Sequence, residues 1–351
     1  YPNRINQTYI EEIKEHVVDY DNLYDMFDKL FKNNILQNKN KTYILPQGGI
    51  DAINTILLLK CIEKYHNIIH LNKKENTDNI SYSNFPDKIK KNILSKQIIQ
   101  LLDIYNYGEI KNILELNKQF DEKINYLVDY AYNRLNLNYK KACEAIELLL
   151  LKENNNKLFQ KLKNDVNLIN PNDTEYNFKN RQTDLYLSAK IRFKEKNYSE
   201  YIIKMFTLAE SFLKNDVEKF LNCTIKYEPE NDHKKWKETI KNNRELKEFL
   251  DNQKISGKKL DHSYPNRHAY RAIWNYYNNK NGNNNNNIET ILKNMEKLCE
   301  LRNNAAHSLE SINLSNRLQD IKELHNMIDQ HFKLSQETYY DTINKHIKKY
   351  L

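Results

Sequence analysis

The spacing of hydrophobic residues predicts α-helices along most of the chain. Apolar side chains recur at helical spacing over 8–33, over 90–170 and again from 181 to the C-terminus. The 351 residues include only 5 Gly and 6 Pro, so few residues would interrupt these helices. The pattern therefore predicts a mostly α-helical protein.

A different pattern separates the first two helical regions. The β-rich run 42–45 is followed by a tight turn, Gln47-Gly48-Gly49, and by a strongly helical pattern over 50–65. Two further predicted strands cover residues 67–71 and 79–83. A strand, a Gly-rich turn, a helix and a second strand in this order are typical of a doubly wound α/β sheet. We therefore expect a partial Rossmann-like α/β region near the start of the chain.

Two changes of character divide the chain into domains. Strand patterns stop near Pro86, after which one helical pattern follows another, and the segment 170–180 is rich in turn residues. An Asn-rich stretch, 278–287, falls in the last region and is predicted to be a surface insertion. We predict three domains, covering residues 1–88, 89–176 and 177–351.

Composition limits the class of protein without identifying it. The net charge of +8 permits a polyanionic partner such as RNA, but an ordinary basic surface explains it equally well. The 4 Cys include no CxxC pair, which argues against a structural zinc site and fits a reducing compartment. No apolar run reaches the ~20 residues needed to cross a bilayer. We expect a cytoplasmic protein without a metal, and we interpret the start at Tyr1 as that of a fragment.

The stretch "ELRNNAAHSLESI" holds the strongest candidate chemistry, Arg302, Asn303 and His307, within a predicted helix. RNA carries its own nucleophile, the 2′-hydroxyl, so cleavage needs a proton acceptor, a proton donor and positive charge on the phosphate. Histidine and arginine supply these without a metal. Roughly one such Arg–His spacing is expected by chance in this chain, so the alternative is a surface or interface histidine.

Two further sets of residues are candidates for binding. Gln47, Gly48 and Gly49 would let backbone N–H groups approach a phosphate, although an ordinary strand-to-helix turn has the same appearance. Arg267 and Arg271 lie one helical turn apart, with a histidine beside them, and could line an RNA groove or a solvated helix face.

Taken together, these stretches resemble the CARF–HEPN ribonucleases of type III CRISPR systems. "YILPQGGIDAINTILLL" is similar to the second half of a CARF domain, and "AKIRFKEKNYSEYIIKMFTLAESFL" to the opening helices of a HEPN domain. "LCELRNNAAHSLESI" is similar to the catalytic HEPN helix. The resemblance implies a partial CARF domain lacking its first strand, a helical linker domain and a C-terminal α-helical HEPN domain.

The resemblance also implies a function. HEPN domains pair so that the Arg and His of two chains form one metal-independent site, which corresponds to Arg302 and His307 with Asn303 at the polar position. Such a homodimer would cut single-stranded RNA by 2′-hydroxyl attack, leaving 2′,3′-cyclic phosphate ends. No cofactor is expected, and the implied activator is a cyclic oligoadenylate.

The ligand loop departs from the family pattern. CARF domains hold the cyclic oligoadenylate on Gly-rich loops, which implies a role for Gln47, Gly48 and Gly49. Family members often have Ser-Gly-Thr-Pro there, whereas this chain has Gln-Gly-Gly-Ile and no hydroxyl. The alternative is therefore a catalytically degenerate CARF–HEPN protein that regulates or binds RNA.

Overall fold

The computed structural model describes ten segments of the chain. They cover residues 19–32, 42–46, 50–65, 68–73, 80–169, 175–224, 229–255, 257–281, 286–308 and 314–351. Over 299–308 the description is limited to the backbone. Within these segments helices dominate, which confirms the predicted mostly α-helical fold.

The described residues form fifteen α-helices and five short strands. The elements up to the middle of the chain are α1 Tyr20–Lys32, β1 Thr42–Ile44, α2 Asp51–Lys64, β2 Ile68–Lys73, β3 Ile80–Ser83, α3 Phe85–Asp103, α4 Tyr107–Leu116, α5 Glu122–Leu135, α6 Tyr139–Lys152 and α7 Lys157–Asn167. They continue with α8 Glu175–Lys194, α9 Tyr198–Leu221, α10 Pro229–Asn242, α11 Arg244–Asp251, β4 Lys254–Ile255, β5 Lys258–Lys259, α12 Arg267–Asn281, α13 Asn286–Ser308, α14 Leu318–Phe332 and α15 Tyr339–Tyr350. A short 3-10 helix, Ser315–Arg317, precedes α14.

The chain divides into two compact units. The N-terminal unit comprises Tyr1–Leu102, Gly108–Asn125 and Tyr350–Leu351, and the C-terminal unit comprises Asp103–Tyr107 and Tyr126–Lys349. The division into domains at 1–88, 89–176 and 177–351 stays a prediction.

The N-terminal unit contains a three-stranded sheet in the order β1-β2-β3. Strand β2 pairs in parallel with β1 and antiparallel with β3, and α2 is the crossover between the parallel strands. The buried side chains Phe27, Phe31, Ile56 and Ile68 join α1, α2 and β2 in one core. A parallel pair with a crossover helix confirms the predicted partial Rossmann-like α/β fold.

The C-terminal unit is built around α9. This helix contacts α8, α12 and α13, and its Tyr201, Met205 and Leu208 are completely buried. The sequence also predicts a short break near Lys196-Asn197, and the structure confirms it, since Lys196 has a φ of 61° and the Asn197 side chain caps α9 by accepting a hydrogen bond from the backbone N–H of Glu200. The helices that carry the HEPN resemblance, α8, α9 and α13, therefore pack together.

One short element was not expected from the sequence. Strands β4 and β5 form a small antiparallel hairpin in a charged stretch without a strand pattern, and Gly257 has a φ of 80° within its turn. Only Gly adopts this conformation without strain, which explains how so short a hairpin can close.

Candidate functional site

Helix α13 carries the predicted catalytic residues. Its apolar positions Ile291, Leu292, Met295 and Leu298 are buried in the core of the C-terminal unit. The backbone of the segment that holds Arg302, Asn303 and His307 is helical, which confirms the predicted helix. The side chains of these three residues lie outside the described part, so their catalytic role stays a prediction.

Asn303 and His307 occupy positions on the same side of α13 as Glu296, whose side chain the structure describes. With 3.6 residues per turn, positions 303 and 307 return to within about 20° of position 296 around the helix axis, whereas position 302 lies about 120° away. Position 303 follows 296 by about 10 Å along the axis. Sequence reasoning overlooked Glu296, although its seven-residue separation from Asn303 was a signal that could have found it.

Arg267 and Arg271 are on the first turns of α12, and both approach Glu296 of α13. Arg267 Nη2 lies 3.6 Å and Arg271 Nε 3.7 Å from the same carboxylate oxygen, Oε1. The side chains of both arginines are 17% exposed and that of Glu296 is 33% exposed. The structure therefore brings the two predicted RNA-binding arginines together around one partly exposed acid. Their RNA-binding role stays a prediction.

Aromatic rings hold the two guanidinium groups. The guanidinium carbon of Arg267 is 4.8 Å from the ring centre of Phe206, and that of Arg271 is 5.0 Å from that of Trp274. Trp274 is itself fixed, since its Nε1–H donates a 3.0 Å hydrogen bond to Asp216. Stacking of this kind fixes the position of a guanidinium without using its N–H donors.

The predicted ligand loop, Gln47, Gly48 and Gly49, lies outside the described residues. The elements on either side are present as predicted, with β1 before the loop and α2 after it, and Asp51 is in the first turn of α2. The predicted strand, turn and helix order is thus confirmed for the flanking elements. The ligand-binding role of the loop stays a prediction.

A histidine that sequence reasoning did not single out, His325, is partly buried against the core of the C-terminal unit. Its Nε2 is 3.1 Å from the Tyr201 hydroxyl, and the rings of Tyr186, Phe193 and Tyr201 surround it edge-on. Burial, with a smaller effect of Lys190, lowers the pKa of His325 to about 4. The ring is therefore neutral near pH 7 and packs against aromatic side chains of the core.

The described part of the chain contains neither a cluster of metal-binding side chains nor a membrane-spanning helix. No group of three or more His, Cys, Asp or Glu side chains within it could hold a metal ion. None of the helices described is both long enough and apolar enough to cross a membrane.

The C-terminal helical unit, including the α13 motif, matches a known protein family. Residues 172–348, half of the chain, match the family model described as the Cas_Csm6 HEPN domain. The chain therefore belongs to the Csm6 HEPN domain family. This membership confirms the resemblance to CARF–HEPN ribonucleases of type III CRISPR systems, and it places the protein in a class of CRISPR-associated ribonucleases.

The fold agrees with that assignment over nearly the whole chain. A similar solved structure is that of Enterococcus italicus Csm6 bound to cyclic hexa-2′-fluoro-hexa-dAMP, with a TM-score of 0.62 and 14% sequence identity. The match covers 97% of this chain and 82% of that chain, and at this identity it shows a common fold. No curated protein matches the chain.

Proposed function

We propose that this protein is a metal-independent endoribonuclease that prefers single-stranded RNA and is active as a homodimer. The observation that carries the proposal is the position of the Arg–His motif. It lies at the end of α13, a helix whose apolar face is buried in the HEPN-like unit, within the residues that match the family. A buried helix face gives a catalytic residue a fixed backbone from which to act.

In the proposed reaction His307 takes part in proton transfer and Arg302 neutralises the phosphate. The 2′-oxygen forms a bond to phosphorus as its proton is removed, and the bond to the 5′-oxygen breaks as that oxygen is protonated. The products are a 2′,3′-cyclic phosphate and a free 5′-hydroxyl. Because one chain supplies a single Arg and His, two copies of α13 across a twofold axis would complete the site.

We propose that a cyclic oligoadenylate activates the enzyme by binding to Gln47, Gly48 and Gly49. The support is the order of the flanking elements, since these residues come between the carboxyl end of the parallel strand β1 and the helix α2, and doubly wound sheets bind ligands at the carboxyl ends of their strands. We propose that residues 1–88 form the CARF domain, residues 89–176 the helical linker domain and residues 177–351 the HEPN domain. The enzyme would act in antiviral defence in the cytoplasm.

A second candidate function is favoured by the same loop. Gln-Gly-Gly-Ile lacks the hydroxyl of the usual family loop, so a protein that no longer responds to the ligand, or that binds RNA without cutting it, would have this sequence.

A cleavage assay with labelled single-stranded RNA in EDTA distinguishes the two. Cyclic tetraadenylate and cyclic hexaadenylate are added separately to the full chain. We expect cleavage with one of the two activators, and we expect His307→Ala to reduce the rate by at least about a hundredfold, since general acid–base catalysis is worth about that much.

The matched control is His233→Ala, which removes an exposed histidine on α10 and should leave the rate unchanged. Cleavage that survives His307→Ala, or that requires a divalent metal, contradicts the proposal. Binding of RNA without cleavage under either activator favours the second candidate.

A further inference from the structure

The cluster of Arg267, Arg271 and Glu296 on helices α12 and α13 has more positive than negative charge. We propose that the two arginines form a binding site for a backbone phosphate of single-stranded RNA, and that Glu296 is the counter-ion which the phosphate displaces. This inference rests on the proposed ribonuclease function. It adds a second contact with the RNA, made at a point on α13 that comes before the candidate catalytic residues.

The ion pairs within the cluster are loose. Both arginines approach Oε1 of Glu296 at 3.6 and 3.7 Å, whereas a charge-assisted N–H···O bond is about 2.7–2.9 Å long. One carboxylate oxygen thus lies between two guanidinium groups without a short contact to either. A phosphate is larger and offers several oxygens, so it can accept from both groups at once.

The donors of Arg271 are incompletely used. Its Nη1 is buried and has no hydrogen-bond partner among the described residues. A buried, unpaired donor is costly, so Glu296 leaves the hydrogen-bonding capacity of this guanidinium incompletely used. Because Trp274 holds the group in place, little side-chain entropy remains to be lost when the anion binds.

Neighbouring acids do not balance the charge. Glu289, one helical repeat before Glu296, is 2.8 Å from Lys293, and Asp216 accepts the hydrogen bond of Trp274. Glu289 also interacts with Arg271, so three cations, counting Lys293, face two carboxylates, and the net charge of the cluster is about +1.

The location favours RNA as the source of the phosphate. Glu296 shares its stripe of α13 with positions 303 and 307, and position 307 is about 16 Å further along the helix axis. The arginines would therefore bind a phosphate that flanks the cleaved one and would hold the strand in register with the candidate catalytic residues.

The sign of one substitution separates this role from that of a structural brace. If Glu296 competes with the phosphate, Glu296→Gln should tighten RNA binding by about threefold, since a partly exposed ion pair contributes only modestly. If the acid merely joins α12 to α13, the same change should weaken binding or leave it unchanged.

The experiment measures binding of the full chain to fluorescent single-stranded RNA whose 2′-hydroxyls are methylated, which prevents cleavage, over a range of salt concentrations. We expect Arg271→Gln to weaken binding by about tenfold, because it removes a charged hydrogen bond. The slope of log Kd against log salt should become shallower by about 0.7 for each arginine replaced. Glu245→Gln, which changes the net charge equally by breaking the exposed pair with Lys280, should have little effect.

Each outcome is informative. Tighter binding by Glu296→Gln together with weaker binding by Arg267→Gln and Arg271→Gln supports the site. Unchanged or weaker binding by Glu296→Gln overturns it, and this test remains available even where an arginine variant fails to fold. The methylated RNA cannot be cut, so this binding experiment does not depend on catalysis. Failure of the ribonuclease proposal would appear in the separate cleavage assay, as cleavage of unmodified RNA that does not depend on His307.

Discussion

Two arginine clusters in the C-terminal unit differ in how completely their donors are used. Arg134 of α5 is buried, and its Nε and Nη2 donate to the two carboxylate oxygens of Asp184 at 2.9 and 3.0 Å. Its Nη1 donates to the Tyr130 hydroxyl at 2.6 Å. In the cluster on α12 and α13, Arg271 has no short bond to Glu296 and one buried nitrogen without a partner in the described part.

Tyr339 completes the interior cluster. Its ring lies 3.7 Å from the guanidinium carbon of Arg134, and its hydroxyl donates a 3.0 Å hydrogen bond to Asp184. A bidentate pair whose own donors and acceptors are used can bear the cost of burial, because protein partners replace the water that the charged groups lose. An arginine cluster whose donors are all used thus joins helices, whereas an incomplete, partly exposed cluster is available to a ligand.

The largest expected effect is on the interior cluster. Arg134→Met should lower the free energy of unfolding by about 3–5 kcal/mol, because it leaves the Asp184 carboxylate buried without its cation. Urea unfolding followed by circular dichroism measures this change. Lys345→Met, which breaks the exposed pair with Glu337, is the control and should cost less than about 1 kcal/mol. A loss of similar size in both variants would contradict the assignment of Arg134 as a structural residue.

A second effect concerns His325, a partly buried titratable group of the C-terminal unit. Its pKa falls from the ordinary 6.5 to about 4 in the folded protein, so between these values the unfolded chain binds more protons. The contribution of His325 to the free energy of unfolding should therefore be fully present above pH 6.5. It should be lost as the pH falls towards 4, by up to about 3 kcal/mol. Lys190 acts in the same direction as burial, and Asp329 opposes both.

The variant His325→Gln tests this by removing the titration. Urea unfolding at a series of pH values should show a shallower loss of stability between pH 6.5 and 4 than in the unsubstituted protein. His233→Gln, at an exposed position, should leave the original pH dependence in place. An identical pH profile for His325→Gln would show that other groups cause the acid destabilisation.

The smallest expected effect is on the stability of the α12–α13 cluster. Arg271→Gln should change the free energy of unfolding by no more than about 1 kcal/mol, because the ion pair is loose and partly exposed. The same urea titration used for Arg134→Met measures it. A loss of 3 kcal/mol or more, on the scale expected for Arg134, would make the two clusters alike and remove the distinction between them.

Local sequence patterns predicted much of the fold because they act within single elements. The apolar stripe of α13 predicted a helix whose Ile291, Leu292 and Met295 are buried. The short break before Tyr198 predicted the boundary between α8 and α9. The β4–β5 hairpin was not predicted. Strands of two residues are too short to show alternating apolar and polar positions, and this hairpin depends on the turn at Gly257.

The class of the protein and the helix that carries Arg302, Asn303 and His307 could be predicted from the sequence, since helical periodicity and motif order depend on neighbouring residues. Which charged groups meet could be seen only in the folded protein. Arg134 and Asp184 are 50 positions apart, and Glu296 meets arginines of the preceding helix. Such partners are chosen by how helices pack against one another, and packing depends on all the buried faces together.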